Sequence, residues 1–299
     1  MYLRSTLFLV AGLLAGLPAL AQISGGIKAG LITESRGNVA AQSGQAKPRA
    51  LKKGQAVVPG MVIESAPDSD TVLAFPDGQI GVLGSKGNVR LNNYVYDIVD
   101  PTKNDINLNL IEGNLRVVMG EIGQNNPGAL HLQVGTASVA LQAGSKGIQT
   151  DASLVTQSGG IAVSVQAGRL EVRLPNGSVL QVNAGQTLLL SQEGNPEIGP
   201  TAAMMQSLSS SEFGREMQRQ LAESQSFNQV IAEAQAAMAT VNAALKNPAT
   251  APNQATQEIL AQLESLPAPG EIAEAPTLPS ATTPVGAAGG GTPCGASCN

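Results

Sequence analysis

Two hydrophobic periods divide this chain. From about Gly30 to Leu190, short runs of β-branched and aliphatic residues alternate with polar ones. Leu115 with Val117, and Leu170 with Val172, sit two apart on one face of a strand. The clearest unit runs from Val72 to Phe75, through Pro76-Asp77-Gly78, to Gln79 to Leu83. Pro presets φ for a tight turn and Gly accepts the φ > 0 that closes it, so this stretch predicts a hairpin. It leads through Gly84 and Gly87 into a further strand over Val89 to Leu91. Beyond Leu190, the residues Gly194, Pro196, Gly199 and Pro200 mark a linker, and the period lengthens to about 3.5. Phe227, Ile231, Ala234, Met238, Val241 and Leu245 are spaced 4-3-4-3-4, the seam of an amphipathic helix that Asn247-Pro248 stops. A shorter helix carries Phe213, Met217 and Leu221 with Ser211 as N-cap, and Thr256 to Leu266 reads as one more.

Within the β region one phrase recurs, as Arg36-Gly37-Asn38-Val39, Lys86-Gly87-Asn88-Val89, Glu112-Gly113-Asn114-Leu115 and Ala167-Gly168-Arg169-Leu170. The hairpin turn has its own echo at Leu174-Pro175-Asn176-Gly177-Ser178. Such echoes suggest stacked turn-strand units, as in a β-solenoid or a two-sheet sandwich. The phrases lie 50, 26 and 55 residues apart, too irregular for a strict solenoid. The fold class is therefore mainly β, with short α-helices following.

The chain opens with Arg4, an apolar run of 11 residues from Leu7 to Leu17, and Ala19-Leu20-Ala21. This is the order of a secretory signal peptide with its small-residue cleavage site, too short to span a bilayer comfortably. A buried N-terminal helix is the alternative. No later segment is apolar for long enough to span, so the mature protein is expected to be periplasmic or secreted. The expected organisation is a signal peptide over 1–21, a β domain over 22–193, a helical segment over 194–266 and a Pro/Gly/Ala-rich disordered tail over 267–299.

Composition narrows the function. Aromatics make up 2% and Trp is absent, so aliphatics must fill the core and no stacking platform for sugars or bases is available. A net charge of −5 argues further against nucleic acid. His131 is the single His, placed on the polar alternation of Leu130 to Val134, with no nucleophile-elbow sequence beside it. The pairs Asp68/Asp70 and Asp97/Asp100 lack the ligand count of a calcium loop. The expectation is therefore no catalytic residue, no cofactor and no metal site.

The Pro76-Asp77-Gly78 turn, Leu83-Gly84-Ser85, Val89-Arg90-Leu91-Asn92-Asn93-Tyr94-Val95-Tyr96-Asp97 and Leu110-Ile111-Glu112-Gly113-Asn114-Leu115-Arg116-Val117-Val118 together resemble the FecR domain. The resemblance covers about Gly30 to Leu190. It implies a β domain of the kind found at the periplasmic end of bacterial iron-sensing transmembrane regulators and in secreted proteins, with no catalytic set. The resemblance marks Pro76, Asp77, Gly78, Gly113 and Gly144 as structural turns, and the recurring phrase and the turn echo add Gly168 and Gly177. Where such domains carry Gly-x-Arg-Gly-Thr, this chain has Gln142-Ala143-Gly144-Ser145, which removes the forked donor of the Arg. The resemblance implies a protein partner, either for a binding or scaffold module or for a signalling component related to iron-uptake sigma-factor regulators. The helix seam over 227–245 has two readings: it packs back on the β domain, or it offers a route to a partner helix or to oligomerisation.

Cys294 and Cys298, the two cysteines, sit at the end of the tail. An exported chain meets oxidising conditions, where they can close a small ring, link to a partner or do neither. So short a ring would add little stability, because loop-closure entropy grows with loop length. The N-terminal reading is checked by mass spectrometry of the envelope fraction, which should find a mature chain beginning at Gln22. An intact Met1 terminus held in the membrane would overturn it.

Overall fold

The chain builds two sheets at once and passes between them every one or two strands. The computed structural model describes residues 26–135, 139–143, 149–158, 160–209 and 212–247, with only the backbone for 139–143. In chain order the strands are β1 (Gly30–Arg36), β2 (Val39–Ser43), β3 (Arg49–Ala50), β4 (Ala56–Val57), β5 (Met61–Ser65), β6 (Asp70–Ala74), β7 (Ile80–Leu83), β8 (Asn88–Val95) and β9 (Asp105–Val118). After the short helix α1 (Glu121–Asn125) come β10 (Leu130–Val134), β11 (Val139–Ala143), β12 (Asp151–Gln157), β13 (Gly160–Ala167), β14 (Arg169–Arg173), β15 (Val179–Asn183), β16 (Gln186–Leu190) and β17 (Pro196–Pro200). Helices α2 (Thr201–Leu208), α3 (Glu212–Gln225) and α4 (Asn228–Lys246) come last.

Pairing sorts the strands into a two-sheet sandwich. One sheet runs β4-β1-β6-β7-β9-β12-β13-β16-β17. The other runs β3-β2-β5-β8-β9-β10-β11-β14-β15. Strand β9 belongs to both: Asp105 to Glu112 pairs in the second sheet and Gly113 to Val118 in the first. All pairs are antiparallel except β9 with β10, which need the crossover through α1 that parallel strands require. Between the sheets lies an aliphatic core that includes Ile63, Leu73, Leu83, Leu91, Leu110, Leu154 and Val172. Phe75 and Tyr94 add a ring pair, with centroids 4.8 Å apart.

The recurring glycine phrase now has a physical meaning. Gly37 joins β1 to β2, Gly87 precedes β8, Gly113 lies within β9 and Gly168 joins β13 to β14, and each is a point where the chain changes sheet. Three of them have φ near +73 to +86, and at the fourth Lys86 takes the positive φ, +56, one residue earlier. The corners also stack. Ala66 N donates to Asn38 O, Lys86 N to Ala66 O, Ser65 N to Gly87 O and Gly84 N to Asn114 O. The architecture is thus a sandwich whose corners are built like those of a solenoid.

The Pro76-Asp77-Gly78 hairpin forms as expected, with Phe75 N donating to Gln79 O (2.9 Å), Gly78 N to Phe75 O (2.8 Å) and φ +86 at Gly78. Its echo at Gly177 repeats both bonds, Leu174 N to Ser178 O and Gly177 N to Leu174 O, each 2.9 Å. The strand after the hairpin, β8, is longer than Val89 to Leu91 and lies in the opposite sheet.

One expectation is corrected, and one open alternative is decided. The supposed linker over Gly194 to Pro200 contains β17, which pairs with β16 from Gln186↔Pro200 to Leu190↔Pro196. Both prolines sit at the ends of this edge strand, where a missing N–H costs no ladder bond. Of the two readings of the helix seam, packing back on the β domain is the one observed. Met217 and Leu221 of α3 pack with Val155 and Ala162, while Phe227, Ile231, Ala234, Met238 and Val241 pack on Leu31, Val72, Ala74, Ile80 and Val82. The α4 seam is therefore covered by the chain's own sheet, which removes it as a route to oligomerisation. Helices α2 to α4 all lie on the first sheet, the covered sheet; among the described residues no helix lies on the outer side of the second, the open sheet. The signal peptide, Ser211, the side chain of Phe213, Gly144, Thr256 to Leu266, the tail and Cys294 and Cys298 lie outside the described residues.

A pair of glycine substitutions checks the corner geometry. A Cβ at Gly113 would stand 2.6 Å from Gly87 Cα, whereas one at Gly177 would meet open space at a nearly equal φ of +85. Gly113→Ala should cost about 2–4 kcal/mol, strain plus overpacking, and Gly177→Ala only about 1 kcal/mol. Urea unfolding of both variants measures the difference, and equal costs would contradict the shared-corner packing.

Candidate functional site

Three arrangements gather the polar residues of the sandwich. The first is the tip of the β6–β7 hairpin, which is buried rather than exposed. Gly120 and α1 close over it, and the C-terminal turn of α4 lies beside it. Asp77 is 1% exposed. Its Oδ1 accepts from Tyr94 OH (3.1 Å) and Gln79 N (3.3 Å), and its Oδ2 accepts from Ile122 N (3.3 Å). Glu121 N donates to Asp77 O (2.8 Å). A Cβ at residue 120 would collide with the Asp77 carboxylate and with Gln79 N, so only Gly120 lets α1 start there.

The network extends to α4. Tyr96 OH donates to Glu121 Oε2 (2.8 Å), Asn242 Nδ2 donates to Pro76 O (2.8 Å) and lies 3.0 Å from Tyr96 OH, and Lys246 pairs with Glu121 Oε1. Lys246 thus neutralises Glu121 and not Asp77. Burial away from any cation pushes the Asp77 carboxyl up to about 6, against the pull of its three donors, and the Glu121 charge adds to the rise. Burial also raises the Tyr94 and Tyr96 phenols, helped by Asp77 for the former and by the hydrogen bond to Glu121 for the latter. The Gln79 side chain is fully buried, and its amide makes no hydrogen bond among the described residues.

The second arrangement seats α3 on β9 and β12. Glu223 accepts from Ser85 N (2.9 Å) through Oε1 and from Asn114 Nδ2 (3.2 Å) through Oε2. Arg116 forks onto Asp151 (2.9 and 2.7 Å) and donates its remaining Nη1 to Ser224 O (3.1 Å). Ser153 and Ser224 share a hydrogen bond (2.6 Å), and Gln166 Nε2 donates to Ser153 Oγ (2.9 Å). An Arg so nearly buried needs this full set of acceptors.

The third is the outer side of the open sheet, where the polar half of each strand's alternation lies in register. Arg90 pairs with Asn109 and Asn109 with Gln133; Asn107 pairs with His131; Glu171 pairs with Gln181 and Arg173 with Val179. Asn92 Nδ2 donates to Asn107 Oδ1 (3.0 Å), and Asn88 Nδ2 to Glu64 Oε1 (3.1 Å). His131 faces outward as its alternation requires, 3.4 Å from Asp105. The face carries amides and both signs of charge, a surface for hydrogen bonding rather than for burying apolar area.

Of the turn residues singled out by sequence, Pro76, Asp77 and Gly78 come together in the buried cluster. Gly113 and Gly168 are separate corners, and Gly177 is an exposed turn. Asp68 and Asp70 stay at a corner, with Asp70 bound to Arg36 (3.1 Å). Asp97 caps its own loop by accepting from Val99 N and Asp100 N (2.9 Å each). Sequence reasoning missed Tyr94, Tyr96, Glu121, Asn242 and Lys246 as partners of the turn. One signal was present: Asn242 stands four residues after Met238, a polar residue beside an apolar seam. Among the described residues no three His, Cys, Asp or Glu side chains are grouped to hold a metal, and no helix is long and apolar enough to cross a membrane.

No protein-family model matches the chain, and no curated protein matches it. The resemblance to FecR domains therefore rests on the residues quoted for it. Among solved structures, two crystal structures from Parabacteroides distasonis ATCC 8503 are similar, both provisionally described as an anti-sigma factor. One has TM-score 0.37 and 15% identity, covering 49% of this chain and 62% of that one. The other has TM-score 0.36 and 16% identity, covering 50% and 63%. This chain thus spans less than two thirds of either, and at these scores neither carries an argument about its role.

The buried carboxyl gives a pH prediction. Asp77 titrates near 6 when folded and near 3.9 when unfolded, so the folded state holds the proton more tightly between those values. Its contribution is complete below about pH 4 and lost as pH rises through about 6, on the order of 3 kcal/mol. Glu216 acts oppositely: its hydrogen bonds with Arg219 hold it down to about 2, so its contribution is lost only as pH falls below about 4. The windows do not overlap. Chemical denaturation from pH 4.5 to 7.5 should show wild-type stability falling relative to Asp77→Asn. Parallel curves would contradict the assignment.

Proposed function

We propose that this chain is a non-enzymatic exported envelope protein whose β sandwich is a protein-binding module, with the outer side of the open sheet as its contact face. One observation supports this reading above the others: the chain's own helices cover one outer face, while the opposite face carries in-register rows of Arg90, Asn109 and Gln133 and of Asn107 and His131. The chemistry-bearing groups elsewhere are engaged in holding the fold. Asp77 anchors a turn, and Arg116, Asp151 and Glu223 seat a helix. The partner is a protein surface rich in hydrogen-bonding groups of both signs, because the face offers amides, guanidinium groups and carboxylates but few apolar side chains.

A role in signalling is the second reading, favoured by the Pro76-Asp77-Gly78 and Glu112-Gly113-Asn114 matches to FecR domains. Both readings place a partner on the sandwich, and they differ in whether binding changes transcription.

A photo-crosslinking residue at Asn107, with another at Glu233 on the exposed side of α4 as control, tests the contact face in the native envelope. Adducts should form from position 107 and not from 233, and Arg90→Glu with Arg173→Glu should reduce them without lowering the melting temperature. Adducts from 233 alone would move the interface to the helices. A change in sigma-factor-dependent transcription on deletion would favour signalling.

A further inference from the structure

Three of the four lateral edges of the sandwich are protected. At one end the chain from Arg49 to Val57 crosses from the open sheet to the covered one, so both edges there are two-residue strands, β3 and β4. That segment is tied down by Leu51 N to Val39 O (2.8 Å), Ile32 N to Gln55 O (2.9 Å) and Gly54 N to Ile32 O (2.7 Å). At the other end the covered sheet finishes on β17, bounded by Pro196 and Pro200 and followed directly by α2. Short strands and edge prolines are the usual devices against edge pairing.

Strand β15 has neither. It is five residues long, Val179-Leu180-Gln181-Val182-Asn183, without proline or charge, and among the described residues it pairs only with β14. Leu174 N donates to Ser178 O, so bonded and non-bonded pairs alternate from there: Val172↔Leu180 and Leu170↔Val182 are bonded pairs. The N–H and C=O groups of Val179, Gln181 and Asn183 therefore point away from the sheet. Asn183 confirms the phase, since its N–H is met by Gln186 Oε1 (2.9 Å).

We infer that β15 is a strand-addition edge whose occupant is the β15 of a second copy, paired antiparallel about a two-fold axis through Gln181. The strand's sequence fits itself in that register. Gln181 meets Gln181 of the other copy, and on the outer side Val179 meets Asn183 through its N–H and the Asn183 carbonyl, the Asn183 N–H staying with Gln186 Oε1; Leu180 meets Val182 on the core side. No like charges are opposed, in contrast to neighbouring β14, which carries Arg169, Glu171 and Arg173. Leu180, half-buried against the core, would gain the cover it lacks. The two open sheets would become one continuous face. The inference is independent of which partner that face binds.

Sedimentation velocity of the full mature chain in reducing buffer, which removes any dimer linked through Cys294 or Cys298, tests this. A reversible dimer is expected at sub-millimolar concentration. Gln181→Lys, which opposes two ammonium groups across the axis, should raise the dimer dissociation constant about tenfold or more. Gln181→Pro should do the same, since the N–H it removes bonds only to the second copy. Both variants should keep the wild-type melting temperature, and Val99→Lys, at a fully exposed site, should leave the dimer intact. A wild-type monomer at those concentrations, or a dimer indifferent to both Gln181 variants, would overturn the inference.

Discussion

The sandwich depends on the passage of β9 through Gly113. Fourteen residues run without a turn from one sheet into the other, and the change of sheet is taken up at one backbone position with φ +86. The Gly87 backbone lies so close that a Cβ cannot be fitted at Gly113, while a Cβ at Gly87 would meet Leu83 and the Gly84 carbonyl. Each sheet then uses its half of β9 as the middle strand, with four strands on either side. Strand count and corner stacking derive from that shared element.

The helices complete this arrangement. Chain segments before β9 make one half of both sheets and segments after it make the other. Helix α4 lies on the earlier half, over β1, β6 and β7, and α2 and α3 on the later half, over β12, β13 and β16. Their junction, at Glu223 and Ser224, is bonded to Asn114 and Arg116 of β9 itself. The helical segment is thus a strap across the seam. Its far end is held at the buried hairpin turn by Asn242, which donates to Pro76 O and lies 3.0 Å from Tyr96 OH.

Much of this could be read from residue order, and the reasons for the remainder are physical. The hairpin at Pro76-Asp77-Gly78 was legible because turn chemistry is local, and so was the α4 seam, because a period near 3.5 persists over six apolar positions. The glycine phrase was visible as a repeat, but its meaning was not. Sheet membership is decided by pairings between strands that are not neighbours in sequence, as in Glu34↔Val72. Strand β17 was hidden by its prolines, which signal a linker unless the strand is known to be an edge. The candidate site was the least legible part. Asp77, Glu121 and Asn242 meet only because α1 and α4 return to the same turn, and neither their spacing nor their type announces it. The outer face of the open sheet was legible strand by strand, as at His131, but not as one surface.

The division of both sheets at β9 has a consequence for how the protein is made. Among the described strands, none that precedes β9 pairs with any that comes after it. A chain emerging from its N-terminus can therefore assemble β1 to β9 as a finished half, with local pairings satisfied and both sides of the sandwich begun. That half ends in two raw borders, both supplied by β9 and awaiting β10 and β12. Until β10 and β12 arrive, these borders are exposed to association with other chains, and the second half is what retires them. The fold is in effect built in two instalments on one template, and the order of residues becomes the order of assembly.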